Sequence, residues 1–283
     1  MPFAEVPEGF TRITEGRREI LAREDFLPYL REKGLLDPGR LFRELEGMRK
    51  GKLKGRGELL LLEGGMSLVV RKYQHGGLLR AFSKDLFVFG SRPFEELLIT
   101  EWLREKGIRT LEVVAAIKEK IAPFLYRGYI VTRFLPRAKD MIAYLLSSPP
   151  FRERRKIMEK AALVTREVHR LGLLHADLHL KNFLVEGEEV LLIDFDRAKL
   201  ITPPKPAKVA RNLKRLDRSA EKLRRLGVPI SAKDKLAFWR VYCEGEDDIK
   251  TLMEDYHRKF RLYSLFYRLG WRIEELLYRR RLP

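Results

Sequence analysis

The sequence predicts an α+β fold in two lobes, sheet-rich in the first half and helix-rich in the second, with the boundary near Leu135. Three observations carry this. Short apolar runs punctuated by glycine fill the first half. Helical apolar periodicity dominates the second. Hydrophobic residues make up 45% of 283 positions, enough for a core in each lobe. On this reading residues 1–48 extend the first lobe, residues 49–135 form its main body, and residues 136–283 form the helical lobe with a basic C-terminal tail.

Taken in order, Phe10 to Thr14 reads as a short strand, and helical pieces follow around Arg23–Lys33 and Gly39–Met48. In "GRGELLLLEGGMSLVVRKY" two strands, Leu59–Leu62 and Leu68–Val70, are joined at Gly64-Gly65, a hairpin signal. "HGG" at 75–77 is a breaker. "SRPFEELLITEWLREKG" reads as a helix with Ser91 as N-cap, Pro93 in the first turn and Gly107 as the stop. Phe94, Leu97, Leu98 and Trp102 share its apolar face. "LEVVAAIKEKI" and "FLYRGYIVTRFL" read as strands. After Pro136 a long helix is marked by Ile157, Ala161, Val164, Val168 and Leu171, and it stops at Gly172. A strand pair turned at Glu186-Gly187 follows, and from Lys208 onward the pattern is helical and rich in Arg and Lys.

Lys and Arg number 58 against 40 Asp and Glu, a formal charge of +18. That excess favours an anionic partner such as a phosphorylated substrate or a membrane surface. No groove-reading motif is evident, so nucleic acid is not expected as a partner. The single Cys243 allows no internal disulfide and fits a reducing compartment. The N-terminus lacks the apolar core of a signal peptide, and no stretch reaches the ~18 apolar residues needed to span a bilayer. A cytoplasmic location follows as the expectation.

The chemistry concentrates in "HADLHLKNFL" at 175–184 and "LLIDFDRAKL" at 191–200. Asp177 and Asn182 flank a short loop between a helix and a strand. Asp194 ends the next strand of the same hairpin, which returns it beside Asn182. Two carboxylates and an amide oxygen at the mouth of a cleft are hard donors suited to Mg²⁺. The order H-x-D-L-x-x-x-N followed by D-F-x is the catalytic core of kinases. In phosphoryl transfer Asp177 orients or accepts the proton of the attacking hydroxyl, while Asn182 and Asp194 hold Mg²⁺ against the phosphates of ATP. His175 supports the loop. Gly55 and Gly57 precede a strand as an incomplete glycine loop, which a plain hairpin turn would equally produce. "SLVVRKY" takes the place of the strand whose lysine pairs with nucleotide phosphates. By strand parity Arg71 and Lys72 point to opposite faces. Arg71 aligns better with V-A-I-K, and Glu96 or Glu95 in the next helix is expected to pair with it. The same glutamates would also favour the helix N-terminus.

Over residues 50–225 the chain resembles the lipopolysaccharide core kinases of Gram-negative bacteria, the Kdo kinases above all. The resemblance rests on "VVRKYQHGGLLRAFSKDLFVF", "YIVTRFLPRAKDM", "VHRLGLLHADLHLKNFLV", "LLIDFDRAKL" and "RNLKRLDRSAEKL". D-F-D-R replaces D-F-G, and the A-P-E segment of protein kinases is missing. The resemblance implies a protein-kinase-like fold. It also implies transfer of the ATP γ-phosphate, with Mg²⁺, to an inner-core sugar hydroxyl of an anionic, lipid A-anchored acceptor at the cytoplasmic membrane face. No obligate protein partner is implied. Heptose on the same glycolipid, or a peptide in the manner of compact atypical protein kinases, are the other acceptors. A non-catalytic nucleotide-binding module is the third class. His179 stands where the family often has another polar group, and is a candidate for acceptor contact. Arg197 is another, with a structural ion pair as its alternative. The tail "RKFRLYSLFYRLGWRIEELLYRRRLP" resembles an interfacial amphipathic helix for anionic membranes, or a helix packing its aromatics on the second lobe.

Overall fold

The computed structural model describes residues 6–48, 52–53, 59–62, 66–74 and 85–259. Strands β1 (Phe10–Glu15) and β2 (Arg18–Arg23) form a hairpin, followed by a 3₁₀ turn (Glu24–Phe26) and helices α1 (Leu27–Glu32) and α2 (Pro38–Met48). Next come β3 (Lys52–Leu53), β4 (Leu59–Leu62), β5 (Leu68–Lys72), β6 (Phe87–Val88), α3 (Arg92–Glu105), β7 (Val113–Ala122) and β8 (Leu125–Arg133). These strands make one antiparallel sheet in the order β1-β2-β7-β8-β5-β4-β3, with β6 also pairing with β8. The glycines predicted at the turns, Gly55, Gly57, Gly64, Gly65 and the 75–77 breaker, lie outside the described residues.

The second lobe opens with β9 (Lys139–Asp140), α4 (Met141–Leu146) and α5 (Phe151–Arg170). It continues through β10 (Leu173–Leu174), β11 (Phe183–Glu186), β12 (Glu189–Leu192), β13 (Lys199–Leu200), α6 (Pro206–Arg225) and α7 (Ala232–Tyr242). A further helix, α8, covers 247–259. Helix α5 stops where the glycine predicts. Gly172 has φ +81°, and a Cβ there would meet the Ile201 carbonyl oxygen at 2.5 Å, so only glycine fits this C-terminal turn. The catalytic-motif loop begins three residues later. The expected strand pair is β11–β12, with Phe183 opposite Leu192 and Glu186 opposite Glu189.

Two apolar clusters sandwich the first-lobe sheet. On one face Phe26, Leu30 and Phe42, from the 3₁₀ turn, α1 and α2, pack on Ile20, Val70 and Val131. On the other, Phe94 and Leu97 of α3 pack on Leu21, Ala116 and Ile130, joined by Tyr73. The period-2 alternation of β5 therefore sends Val70 toward α2 and Tyr73, three residues on, toward α3. Helix α3 also reaches the other lobe, because Ile99 and Leu103 belong to the second-lobe core with Met141, Leu178 and Phe195. Leu97 and Leu103 are both fully buried, a burial worth ~1.5–3 kcal/mol per leucine. Ser91 holds the N-cap position, and its carbonyl accepts from Glu95 N–H at 2.9 Å. Its hydroxyl makes no capping bond, contrary to the sequence expectation, and is buried with no hydrogen-bond partner among the described residues.

Candidate active site

Helix α5 delivers the chain into the loop 175–182, and a set of short-range bonds fixes that loop from behind. His175 is buried (1% exposed). Its Nδ1 accepts from the Asp177 backbone N–H at 3.1 Å, and its Nε2 donates to the Ile193 carbonyl at 2.9 Å. One nitrogen accepting and the other donating defines the neutral ring. Burial lowers the pKa of His175, which keeps it so at neutral pH. Its ring lies 5.3 Å from that of Phe195, the buried phenylalanine of the D-F-D triplet. His175 thus ties the loop to the strand end that carries Asp194, as its supporting role in the sequence reading requires.

Asn182 is buried, and its Nδ2 donates to the Asp177 carbonyl at 2.9 Å. With the nitrogen engaged, Oδ1 is the atom that Asn182 can offer to a cation. The Asn182 carbonyl accepts from Ile193 N–H at 2.9 Å, which returns Asp194 beside it as the hairpin predicts. Asp194 itself lies just beyond β12, in the left-handed region at φ +66°. Asp177 projects into solvent, and its Oδ2 lies 3.1 Å from His179 Nε2. His179, expected at the acceptor, therefore sits against the carboxylate of Asp177. Its Nδ1 is buried and has no hydrogen-bond partner among the described residues.

From the other lobe β5 contributes Arg71. Its Nη2 donates to both oxygens of Glu96 at 2.6 Å, and its Nη1 donates to Asp194 Oδ1 at 2.9 Å. Of the two glutamates in question, the structure selects Glu96, which is 5% exposed. Burial disfavours the charge of Arg71, but Glu96 and Asp194 more than offset it and hold its pKa above the usual arginine value. Burial pushes the Glu96 carboxyl up to about 7 against the opposing pull of Arg71. Tyr73, on the same face of β5, donates its hydroxyl to Glu96 Oε2. Lys72 corrects one expectation. Placed among the nucleotide-binding candidates from sequence, it faces the other side of the sheet. There its Nζ lies 2.7 Å from Asp85 and 5.9 Å from the ring centroid of Phe42. Arg197 is exposed at φ +58°, next to Asp196, and no hydrogen bond or ion pair links its side chain to another described residue. Gly55 and Gly57 cannot be placed in the site, since they lie outside the described residues.

Sequence reasoning missed two features. Arg92, in the first turn of α3, donates through Nε and Nη2 to the two oxygens of Asp196, the Nε bond being 2.9 Å. Behind the loop, the Tyr242 hydroxyl bonds His169 Nδ1 at 2.7 Å, His169 Nε2 bonds Asn212 Oδ1 at 2.9 Å, and Asn212 Nδ2 donates to the His175 carbonyl at 2.7 Å. The one available signal was an Asn in the face of α6 that otherwise carries Val209, Leu213 and Leu216.

Does this donor set fit the implied cation? Among the described residues no three His, Cys, Asp or Glu side chains gather as a metal cage. Mg²⁺ needs none, since it is held by one or two protein oxygens and keeps waters and phosphate oxygens as its other ligands. Asp194 and the Oδ1 of Asn182 supply that kind of set. The array as a whole offers a carboxylate next to solvent at Asp177, two oxygen ligands, and a guanidinium fixed between the lobes.

Among known proteins, two named 3-deoxy-D-manno-octulosonic acid kinase are each 30% identical to this chain. That of Vibrio cholerae aligns over 158 residues, 54% of this chain and 65% of its own length. That of Actinobacillus succinogenes aligns over 217 residues, 71% of this chain and 85% of its own. The lipopolysaccharide core heptose(I) kinase WaaP of Pseudomonas aeruginosa is 27% identical over 217 residues, 72% of this chain and 76% of that protein. A solved structure of WaaP in complex with acyl carrier protein is similar in fold, with TM-score 0.54 and 22% identity, covering 87% of this chain and 96% of that one. The family model described as "Lipopolysaccharide kinase (Kdo/WaaP) family" matches residues 37–242. That span holds β5, α3, the 175–182 loop and the D-F-D triplet, and the chain belongs to this family.

Proposed function

We propose that the protein transfers the γ-phosphate of ATP to a hydroxyl of Kdo in the lipopolysaccharide inner core, on a lipid A-anchored acceptor. The observation that carries the reading is the Arg71 bridge between Glu96 and Asp194, set against a loop that presents Asp177 to solvent. A sugar hydroxyl is a weak nucleophile until it is oriented beside a base and in line with the phosphorus. Asp177 supplies the base, and His179 fixes its carboxylate. Arg71 meets the nucleotide phosphates, while Asn182 and Asp194 hold Mg²⁺, which neutralises phosphate charge. The exposed Arg197 is the candidate for the acceptor's own anionic groups. Kdo is preferred as acceptor because the two relatives described above that bear that name are 30% identical to this chain, against 27% for the heptose kinase. The heptose kinase relative supports heptose on the same glycolipid as the second reading.

Association with the cytoplasmic face of an anionic membrane is part of the proposal, and the charge of +18 supports it. Among the described residues no helix is long and apolar enough to cross a membrane. The basic tail offered for this role lies outside the described residues beyond position 259.

The test uses purified protein, Mg·ATP and two acceptors in detergent, one bearing Kdo alone and one heptosylated, read by mass spectrometry. Phosphorylation of the Kdo-only acceptor is the expected result. Labelling of the heptosylated acceptor alone would move the assignment to heptose, and labelling of protein alone would sink the glycolipid reading.

A further inference from the structure

We infer that Arg92 and Asp196 form a second tie between the lobes, a positioning pair that holds α3 against the D-F-D triplet when nucleotide occupies the site. The inference rests on the kinase reading given above. It begins from a conflict in the duties of Arg71. That one side chain bonds Glu96 and Asp194 at once. If Arg71 turns to the phosphates and Asp194 to a cation, their mutual bond is lost. It would be lost at the moment when geometry matters most, because a reacting centre tolerates little misplacement.

The Arg92–Asp196 pair shares neither of those duties. Arg92 and Glu96 stand four residues apart on α3, one turn and one face. Glu96 reaches the triplet through Arg71, whereas Arg92 reaches it directly. Two parallel bonds to one carboxylate fix orientation as well as distance. The guanidinium is further held over the Phe87 ring at 4.6 Å and the Tyr73 ring at 5.6 Å. Arg92 and Asp196 side chains are 16% and 18% exposed, so water screens the pair only weakly. Arg92 N–H also donates to the Tyr126 hydroxyl at 3.2 Å, which anchors the helix start to β8.

The backbone shows why this chain can use an aspartate where the D-F-G pattern has glycine. The left-handed residues here are Asp194 and Arg197, at φ +66° and +58°, and Asp196 is not among them. A side chain is therefore tolerated at 196 without strain. Asp196 follows the buried Phe195, so a carboxylate held by α3 also fixes the two-residue segment leading back to Asp194.

Kinetics on the intact chain test this, using whichever acceptor the wild type phosphorylates. Wild-type turnover comes first, and its absence would count against the kinase reading rather than against the pair. Arg92→Ala and Asp196→Ala are each expected to lower kcat about tenfold, with KM for ATP within about twofold. The double variant should be no worse than the poorer single, since residues acting as a unit are not additive. Arg92→Lys should recover only part of kcat, because an ammonium cannot make the two-pronged contact. Melting temperatures show which variants remain folded. If Arg92→Ala does not fold, Asp196→Asn, which keeps the side-chain shape, carries the same expectation. Losses that multiply in the double variant would overturn the proposal. So would a shift in Mg²⁺ half-saturation for Asp196→Ala while Arg92→Ala stays silent, since Asp196 would then be a metal ligand.

Discussion

The two supports of this site are built from different materials. Between the lobes the contacts are charged: Arg71, itself held by Glu96, with Asp194, and Arg92 with Asp196. Behind the 175–182 loop they are neutral: Tyr242, His169, Asn212 and the His175 carbonyl in one buried chain, with His175 itself reaching Ile193. The Arg71–Asp194 contact can exchange partners when a cation and phosphates arrive while Arg92–Asp196 holds, whereas a buried neutral chain with each bond made leaves little to exchange. The arrangement thus gives Asp177 a fixed platform and gives the nucleotide side room to rearrange. Changes on the two sides should therefore fail differently.

The largest expected effect is at the platform's working end. Asp177→Asn keeps the shape and the His179 contact but removes the proposed base, so kcat should fall ~10²–10⁴-fold, with Mg·ATP affinity nearly intact. Retained turnover would take Asp177 out of the base role. Asp194→Ala attacks the other side and should weaken Mg·ATP binding itself, because it deletes the proposed metal ligand and also leaves Arg71 with one carboxylate fewer. Nucleotide affinity equal to wild type, measured by titration calorimetry, would remove Asp194 from the metal site.

What the sequence made legible follows the same division. The spacing of Asp177, Asn182 and Asp194 is local, set by one loop and one hairpin, and the periodicity around it is strong. The pairing of Arg71 with a glutamate of α3 was also within reach, because strand parity and a helix first turn constrain it. Arg92 with Asp196 was not, since 104 residues separate them and only the packing of α3 between the two cores brings them together. The Asn212 relay was hidden for a related reason. A buried asparagine gains its meaning from a histidine on another helix, and no spacing rule joins α5 to α6. Lys72 shows the limit from the other direction: parity stated that one of the doublet must leave the cleft, and the sheet's two covers, α2 and α3, decide which.

The neutral platform makes a pH prediction of intermediate size. Burial pushes the His169 pKa down from its ordinary value of 6.5 to about 4. A histidine depressed in the folded state contributes stability that is complete above the unfolded pKa and is lost as pH falls through the folded value. Between about pH 6.5 and 4 the loss should approach ~3 kcal/mol from this residue. His175 is shifted in the same direction. Glu96, raised to about 7 by burial, acts oppositely, since its contribution is present at acid pH and lost as pH rises through that value. Chemical denaturation of wild type and His169→Gln at pH 7.5, 6, 5 and 4 separates these terms, because Glu96 and His175 are common to both proteins. The two stabilities should converge as pH falls, from a less stable variant at pH 7.5. Curves that stay parallel would show that His169 is not held neutral by the fold.

The smallest effect is expected at Lys72, and it sharpens the assignment of the cleft face. Arg71 and Lys72 are neighbours in β5, both are cations, and both fit a V-A-I-K alignment within one residue. Their surroundings differ. Arg71 lies on the α3 face with Glu96 and Asp194, while Lys72 lies on the α2 face with Asp85 and Phe42. Asp85 is itself shared with Arg127, whose Nε donates to it at 2.9 Å. Removing Lys72 therefore leaves that carboxylate partnered by Arg127, so no buried charge is stranded. Lys72→Ala should lower the melting temperature slightly and leave kcat and KM for ATP within about twofold, whereas Arg71→Ala should cost at least about tenfold in kcat/KM. The reverse order of activities would mean that Lys72 turns toward the nucleotide, which the register of β5 against β8, with Arg71 opposite Ile130 and Lys72 opposite Tyr129, permits only after a one-residue slip. Such a slip would send Val70 and Tyr73 to the wrong covers as well. A loss of activity at Lys72 without a large loss of stability would therefore contradict the placement of the whole strand.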